Sequence, residues 1–130
     1  MRGLLLDTNI LVAAERGEAD LEDLIADDDG DLGIAAITLA ELLVGVELGR
    51  GRERSRRRAF VDDLRGAVSV VAYDERTAEH HAALLAHARR TGSPRGGHDA
   101  IIAATARATG RVVVTCDRRG FEGLPGVRLR

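Results

Sequence analysis

The chain has 130 residues, room for one domain and not two, and with 45% hydrophobic but only 2% aromatic residues its core must be built from aliphatic side chains and alanine. A single cysteine, Cys116, excludes an internal disulfide and a cysteine-built zinc site, no apolar run approaches membrane-spanning length, and the first residues lack a secretory leader's pattern, so a soluble cytoplasmic protein is expected. The net charge of −2 divides unevenly, with twelve acids and two arginines in residues 1–48 against nine acids and seventeen arginines in residues 49–130, and with no lysine anywhere.

Leu4, Leu5 and Leu6 form a continuous apolar run, the mark of a parallel strand buried on both faces, and it stops at Asp7. A helical segment follows with Ile10, Leu11 and Ala14 on one face. Residues 19–27 predict a second, acidic helix with Leu21, Leu24 and Ile25 inward. The loop at 27–31, Asp-Asp-Asp-Gly-Asp, superficially matches a calcium-binding loop. Ile25 and Ala36 at the first and twelfth ligand positions exclude that reading. Residues 32–36 predict a second strand, after which Thr38 opens a helix to about Leu48. The stretch from Arg50 to Arg58 holds six arginines and leads into a helix over 55–65. A third strand is predicted over 67–72. Asp74 caps a long helix reaching about Arg90, and residues 91–97 form a Gly/Ser/Pro loop. An Ala-rich helix over 99–109 ends at Gly110, as a C-terminal glycine should end it. Residues 111–115 give a strand of three consecutive valines, and 127–129 a short last edge strand. Strands alternating with helices predict an α/β fold, a three-layer α/β/α sandwich around a mainly parallel sheet, in one domain over 1–130.

Ligands of open α/β sheets bind beyond the carboxyl ends of the strands. Asp7 follows the first strand and Asp117 lies just past the last long one; Glu41 and Asp99 fall in the first turns of two helices. Each acid has a plainer explanation. Asp7 fits a helix N-cap, and Thr38-x-x-Glu41 fits a capping box. Asp99 suits a helix N-terminus electrostatically, and Asp117 suits a turn. All four on one rim of one small domain are harder to explain singly. Clustered like charges repel unless a divalent cation sits among them, and oxygen donors suit Mg²⁺ or Mn²⁺.

Four segments in order carry a family resemblance: Leu6-Asp7-Thr8-Asn9; Thr38-x-x-Glu41-Leu42-x-x-Gly45; His98-Asp99-Ala100-Ile101-Ile102-Ala103-Ala104-Thr105-Ala106; and Thr115-Cys116-Asp117 with Phe121. The chain resembles a PIN domain over essentially its whole length, and in particular the VapC-type toxins, stand-alone PIN domains of about this size. Many such toxins carry a further acid just before the Phe of the last motif, where this chain has Gly120. The resemblance implies an endoribonuclease that cleaves RNA with a water activated by Mg²⁺ or Mn²⁺. It assigns Asp7, Glu41, Asp99 and Asp117 as catalytic, with Asp7 and Asp99 on the metal and Glu41 and Asp117 joining directly or through water. It also implies a cognate antitoxin and a homodimer.

Thr8, Asn9 and Thr115 are candidates to orient the acids or water, or else ordinary turn and capping residues. His98, beside an acid, reads more readily as structural than as a general base. His80, His81 and His87 lie on a long helix as surface or packing residues, Cys116 is expected to be a small buried residue, and Gly45 is expected at a close helix–helix contact. The arginines at 50–58 either grip phosphates or form a solvated helix face. A response-regulator receiver and a Walker-type NTPase both need a lysine that is absent, and a dehalogenase-type phosphatase needs an acid where Asn9 stands. The remaining alternative is a PIN-like module that binds RNA or protein without cutting.

Overall fold

The computed structural model describes residues 3–25 and 31–130. The acidic loop expected from residue 27 onward, the end of the second helix and the inward placement of Leu24 and Ile25 lie outside the described residues or side chains. In chain order the elements are β1 (Leu4–Leu6), α1 (Thr8–Glu15), α2 (Leu21–Ile25), β2 (Leu32–Ala35), α3 (Ala36–Leu48), α4 (Gly51–Ala67), β3 (Ser69–Val71), α5 (Glu75–Thr91), α6 (Gly97–Thr109) and β4 (Val112–Val114), followed by a 3₁₀ turn over Arg118–Gly120.

The four strands form one sheet in the order β3-β2-β1-β4, and every pairing is parallel. Leu4, Leu5 and Leu6 stand opposite Val112, Val113 and Val114. Because side chains alternate across a sheet, adjacent residues of this run serve different layers. Leu4, Leu6, Ile34 and Val114 pack with Ile10 and Leu11 of α1, Leu42 and Val46 of α3, and Val61 and Leu64 of α4. Leu5, Ala35 and Val113 pack on the other face with Leu84 of α5, the alanines of α6, Phe121 and Leu124. Burying each such Leu, Ile or Phe contributes about 1.5–3 kcal/mol, enough to explain why the uninterrupted apolar runs become the central strands. The architecture is the expected three-layer sandwich, with an entirely parallel sheet. The chain end joins it through a single parallel bridge between Val113 and Leu129, less than the strand expected there.

Local signals hold at several ends. Asp74 caps α5 by accepting from the Thr77 backbone amide at 2.9 Å, and that bond holds its carboxyl below the usual carboxylate range. Gly110 closes α6 in the left-handed region at φ 68°. Helix α3 departs from expectation. It starts at Ala36, with Ala35 as its cap residue, so Thr38 lies inside the helix and Glu41 beyond its first turn. Ala36 and Ile37 carry no signal against helix, and nothing stops the helix from continuing straight out of β2. The capping-box reading of Thr38 and Glu41 is thereby corrected. Helix α4 likewise begins earlier than its arginine-rich sequence suggested, at Gly51.

The strand order places β4 beside β1 while β2 and β3 extend the sheet the other way. The gap between the helix layers therefore opens at the carboxyl ends of β1 and β4, where connections diverge to opposite sides. The opposite end of the sheet is tied down by Arg111, whose guanidinium reaches the Leu4 carbonyl at 3.2 Å and pairs with Asp31. Gly33 makes room for it, since a Cβ there would stand 2.9 Å from the Arg111 Nη1.

Candidate active site

Asp7 is the residue at which β1 becomes α1, and its backbone amide still bonds the Val114 carbonyl at 2.9 Å. It occupies the cap position of α1 without capping it. Its side chain instead turns across to β4, where Oδ2 accepts the Thr115 hydroxyl at 2.8 Å. Thr115 in turn accepts the Asp117 backbone amide at 3.0 Å, so one hydroxyl couples the ends of β1 and β4. Asp7 is only 2% exposed. Burial pushes its carboxyl up to about 6; the Thr115 hydrogen bond works against this, and the nearby charges of Asp99 and Glu41 add to it.

Glu41 projects from α3 toward the same rim. Its Oε1 lies 2.9 Å from the Thr8 hydroxyl and its Oε2 2.9 Å from His98 Nδ1. A carboxylate can only accept, so Thr8 gives its proton to Glu41, and the buried Thr38 hydroxyl stands 3.1 Å from Thr8. Thr38, placed in a capping motif by its sequence, belongs instead to this three-residue chain of oxygens. Asp99 comes from the first turn of α6. Its carboxyl is raised by burial first, then by Asp117 and Glu41, and the charge on His98 opposes them. A helix N-terminus alone would favour the ionised form. Burial and the neighbouring acids act against that preference. Asp117 begins the 3₁₀ turn without capping it and faces Arg119 Nε at 3.7 Å.

The four acids singled out by the sequence thus gather at one rim, all four linked through each other's charge, with Asp117 acting on Asp99. Among the described residues no three His, Cys, Asp or Glu side chains already stand as a cation cage. Their oxygens are partly engaged: Glu41 by Thr8 and His98, and Asp7 by Thr115. The donor set still fits a hard divalent cation. It offers carboxylate oxygens from several elements, and their mutual repulsion is the cost a cation would remove.

Other expectations divide. Thr8 and Thr115 each hold an acid, whereas Asn9 is exposed. His98, read as structural more readily than as a general base, has a side chain that is 56% exposed and pairs with Glu41. Its adjacency to Asp99 is the one signal of this that the sequence carries. His81 meets the Tyr73 hydroxyl at 2.9 Å on the surface. Cys116 is exposed, not buried, because the strand has ended and Thr115 takes the inward place. Gly45 is not at a tight helix contact, since a Cβ there would meet nothing within 4 Å. It lines a largely apolar groove of about 160 Å³ between α1, α3 and α4 with Val12, Leu42, Phe60 and Val61, which Glu15, Arg16, Glu41 and Arg57 also line. Its carbonyl accepts from Arg57 Nη1 at 2.8 Å. Within the arginine stretch, Arg54, Arg56 and Arg57 pair with Glu47, Glu15 and Glu53. Arg50, Arg52 and Arg58 remain on the exposed surface of the chain.

Residues 4–126 match the family model described as PIN domain. The chain belongs to the PIN-domain family. Within that family it is 32% identical over 129 residues to the tRNA(fMet)-specific endonuclease VapC of Shigella flexneri, covering 98% of this chain and 96% of the relative. Its fold superposes on a chain in the crystal structure of DNA-bound VapBC from Salmonella typhimurium with a TM-score of 0.88, at 31% identity and covering 100% of this chain and 98% of the other. It likewise matches VapBC-5 of Mycobacterium tuberculosis, a member of the VapBC family of toxin–antitoxin systems, with a TM-score of 0.81 at 25% identity over 99% and 98% of the two chains. In this PIN domain, therefore, the acids at the sheet's switch point stand on a scaffold shared along nearly its full length with VapC nucleases.

Proposed function

We propose that this chain is an RNA-cleaving hydrolase, a Mg²⁺- or Mn²⁺-dependent endoribonuclease acting in the cytoplasm as the toxin of a toxin–antitoxin pair. The observation that carries this reading is the convergence of Asp7, Glu41, Asp99 and Asp117 at the switch point of a PIN fold, in a chain 32% identical to a VapC endonuclease. Asp7 and Asp99 hold the cation, joined directly or through water by Glu41 and Asp117. When bound, the cation neutralises charge building on the phosphate and lowers the pKa of the attacking water. The protein's own part is positional. Thr115 fixes the rotamer of Asp7 from β4, and Thr8 with His98 fixes both oxygens of Glu41. His98 acts here through Glu41, not as the base.

A water nucleophile attacking in line leaves a 5′-phosphate and a 3′-hydroxyl. The purified protein is therefore expected to cut RNA when Mg²⁺ or Mn²⁺ is added and to stop in excess EDTA, with those end groups on its products. Undiminished cleavage in EDTA, or products ending in a 2′,3′-cyclic phosphate, would sink the metal mechanism. The same assay separates an enzyme from a module that only binds RNA.

The partner in the Salmonella structure, a VapBC complex, supports a small antitoxin for this chain. The largely apolar groove that Glu41 helps to line supports its seat near the acidic rim. A homodimer is supported by Val44 and Leu48 on α3, apolar side chains 55% and 76% exposed and one helical turn apart. No described helix is long and apolar enough to cross a membrane. Expression of the chain alone is expected to arrest growth, with Asp7→Asn relieving the arrest. A cell that tolerates a high level of active wild-type protein without a partner would contradict the toxin role.

A further inference from the structure

His98 stands at the acidic rim with one ring nitrogen in use and the other free. Nδ1 lies 2.9 Å from Glu41 Oε2, and a carboxylate only accepts, so in the neutral ring Nδ1 carries the proton. Nε2 then holds a lone pair and no hydrogen. No described residue bonds to it, and the side chain is 56% exposed. Glu41 thus fixes both the tautomer and the tether of an unused acceptor beside the acids. The neighbouring hydroxyls are committed, that of Thr8 to Glu41 and that of Thr115 to Asp7. Asn9 is exposed, and no side-chain bond among the described residues holds it in place.

A hydrolysis that leaves a 5′-phosphate and a 3′-hydroxyl makes no chemical use of the ribose 2′-hydroxyl. A site that works this way tells RNA from DNA through a contact to that group or through the shape it imposes. Phosphate oxygens offer only lone pairs, and a neutral Nε2 has no hydrogen to give them. A 2′-hydroxyl can donate, and the sugar on the 5′ side of the cleaved bond carries one next to the leaving oxygen. We propose that His98 is a specificity-determining residue, whose Nε2 accepts a hydrogen bond from that 2′-hydroxyl while Nδ1 stays on Glu41. The inference rests on the reading of the rim as a cation-dependent nuclease site. No proton is transferred. Holding Glu41 serves every substrate, whereas accepting from the sugar serves only a substrate that carries the hydroxyl, so the two tasks of the ring can be told apart.

The test uses an RNA oligonucleotide cut at one mapped position, and the same oligonucleotide with a single 2′-deoxy or 2′-fluoro sugar on the 5′ side of that bond. Neither modified sugar can donate, and the two shift the acidity of the leaving oxygen in opposite directions. Discrimination is the ratio of kcat/KM on the all-ribose substrate to that on a modified one, measured with Mn²⁺ at pH 8 and taken per folded protein. The wild-type ratio is expected to exceed that of His98→Ala and of His98→Phe by about 3- to 10-fold for both modified sugars, the worth of one neutral hydrogen bond. Both His98 variants should also cut the all-ribose substrate more slowly, because Glu41 loses a partner. Thr8→Val, which frees the other Glu41 oxygen, should slow all three substrates alike and keep the wild-type ratios. The proposal is overturned if the His98 variants discriminate as the wild type does, or if the difference appears with only one of the modified sugars. It is equally overturned if Thr8→Val loses the discrimination too, since the effect then follows Glu41. A wild-type protein that cuts none of the three with Mn²⁺ would instead overturn the reading of the site itself.

Discussion

Asp7→Ala, Asp99→Ala and Glu41→Ala are each expected to lower RNA cleavage on the order of 10³-fold or more, because a cation and the groups holding it supply several kcal/mol of transition-state charge stabilisation. The proteins should remain folded. Asp7 sits at a cap position without a side-chain cap bond to α1, and its backbone bonds to Val114 and Leu11 are kept by alanine. Glu41 lies inside α3, not in a capping box, and alanine is the better helix former. Asp117→Ala should be milder, since its side chain is 46% exposed and paired only loosely with Arg119. Circular dichroism and a gel-based cleavage assay on the same preparations check this. If the loss at Glu41 follows a loss of helix, then Glu41 supports the fold and not the chemistry.

Asp7→Asn is expected to make the metal-free protein more stable at pH 8 and to leave it about as stable as wild type near pH 4. Burial and the neighbouring acids hold the Asp7 carboxyl at about 6 in the folded state, above its ordinary 3.8. The folded state thus binds this proton more tightly than the unfolded state does. The stability this gives is fully present below about pH 4, is lost as pH rises through about 6, and is gone at pH 8. The difference amounts to about 3 kcal/mol. Asparagine carries no charge at any of these pH values, and its carbonyl oxygen can still accept the Thr115 hydroxyl. The melting temperature of the variant in EDTA at pH 8 should therefore exceed that of the wild type by on the order of 10 °C. Asp99→Asn should shift in the same direction, because its carboxyl is also raised by burial and by its acidic neighbours. Added Mg²⁺ at a hundredfold excess over Kd should stabilise the wild type by about 2.7 kcal/mol and either variant clearly less. Equal melting temperatures at pH 8, or equal responses to Mg²⁺, would show that these carboxylates do not share a strained cation site.

Much of this molecule is determined locally. Runs such as Leu4-Leu5-Leu6 and the three valines of β4 specify buried parallel strands because each successive side chain has a layer to fill. Gly110 and Asp74 specify helix ends through their own backbone and side-chain chemistry. The acids immediately after two strands reach the binding rim by topology alone, so Asp7 and Asp117 could be placed from the sequence, and the ordered motifs identified the family. Tertiary structure decided the rest. The length of α3 came from the continuation of β2 into Ala36, which carried Thr38 out of its capping motif and into contact with Thr8, thirty residues away. The pairing of His98 with Glu41, the hydroxyl link between Asp7 and Thr115 across 108 residues, the open space beside Gly45 and the exposure of Cys116 have no local signature. Each depends on which side chains from distant elements come to share the same few ångströms. Hydrophobic periodicity fixes which face of an element is buried, and leaves the polar contacts at its ends to be settled when the layers pack together.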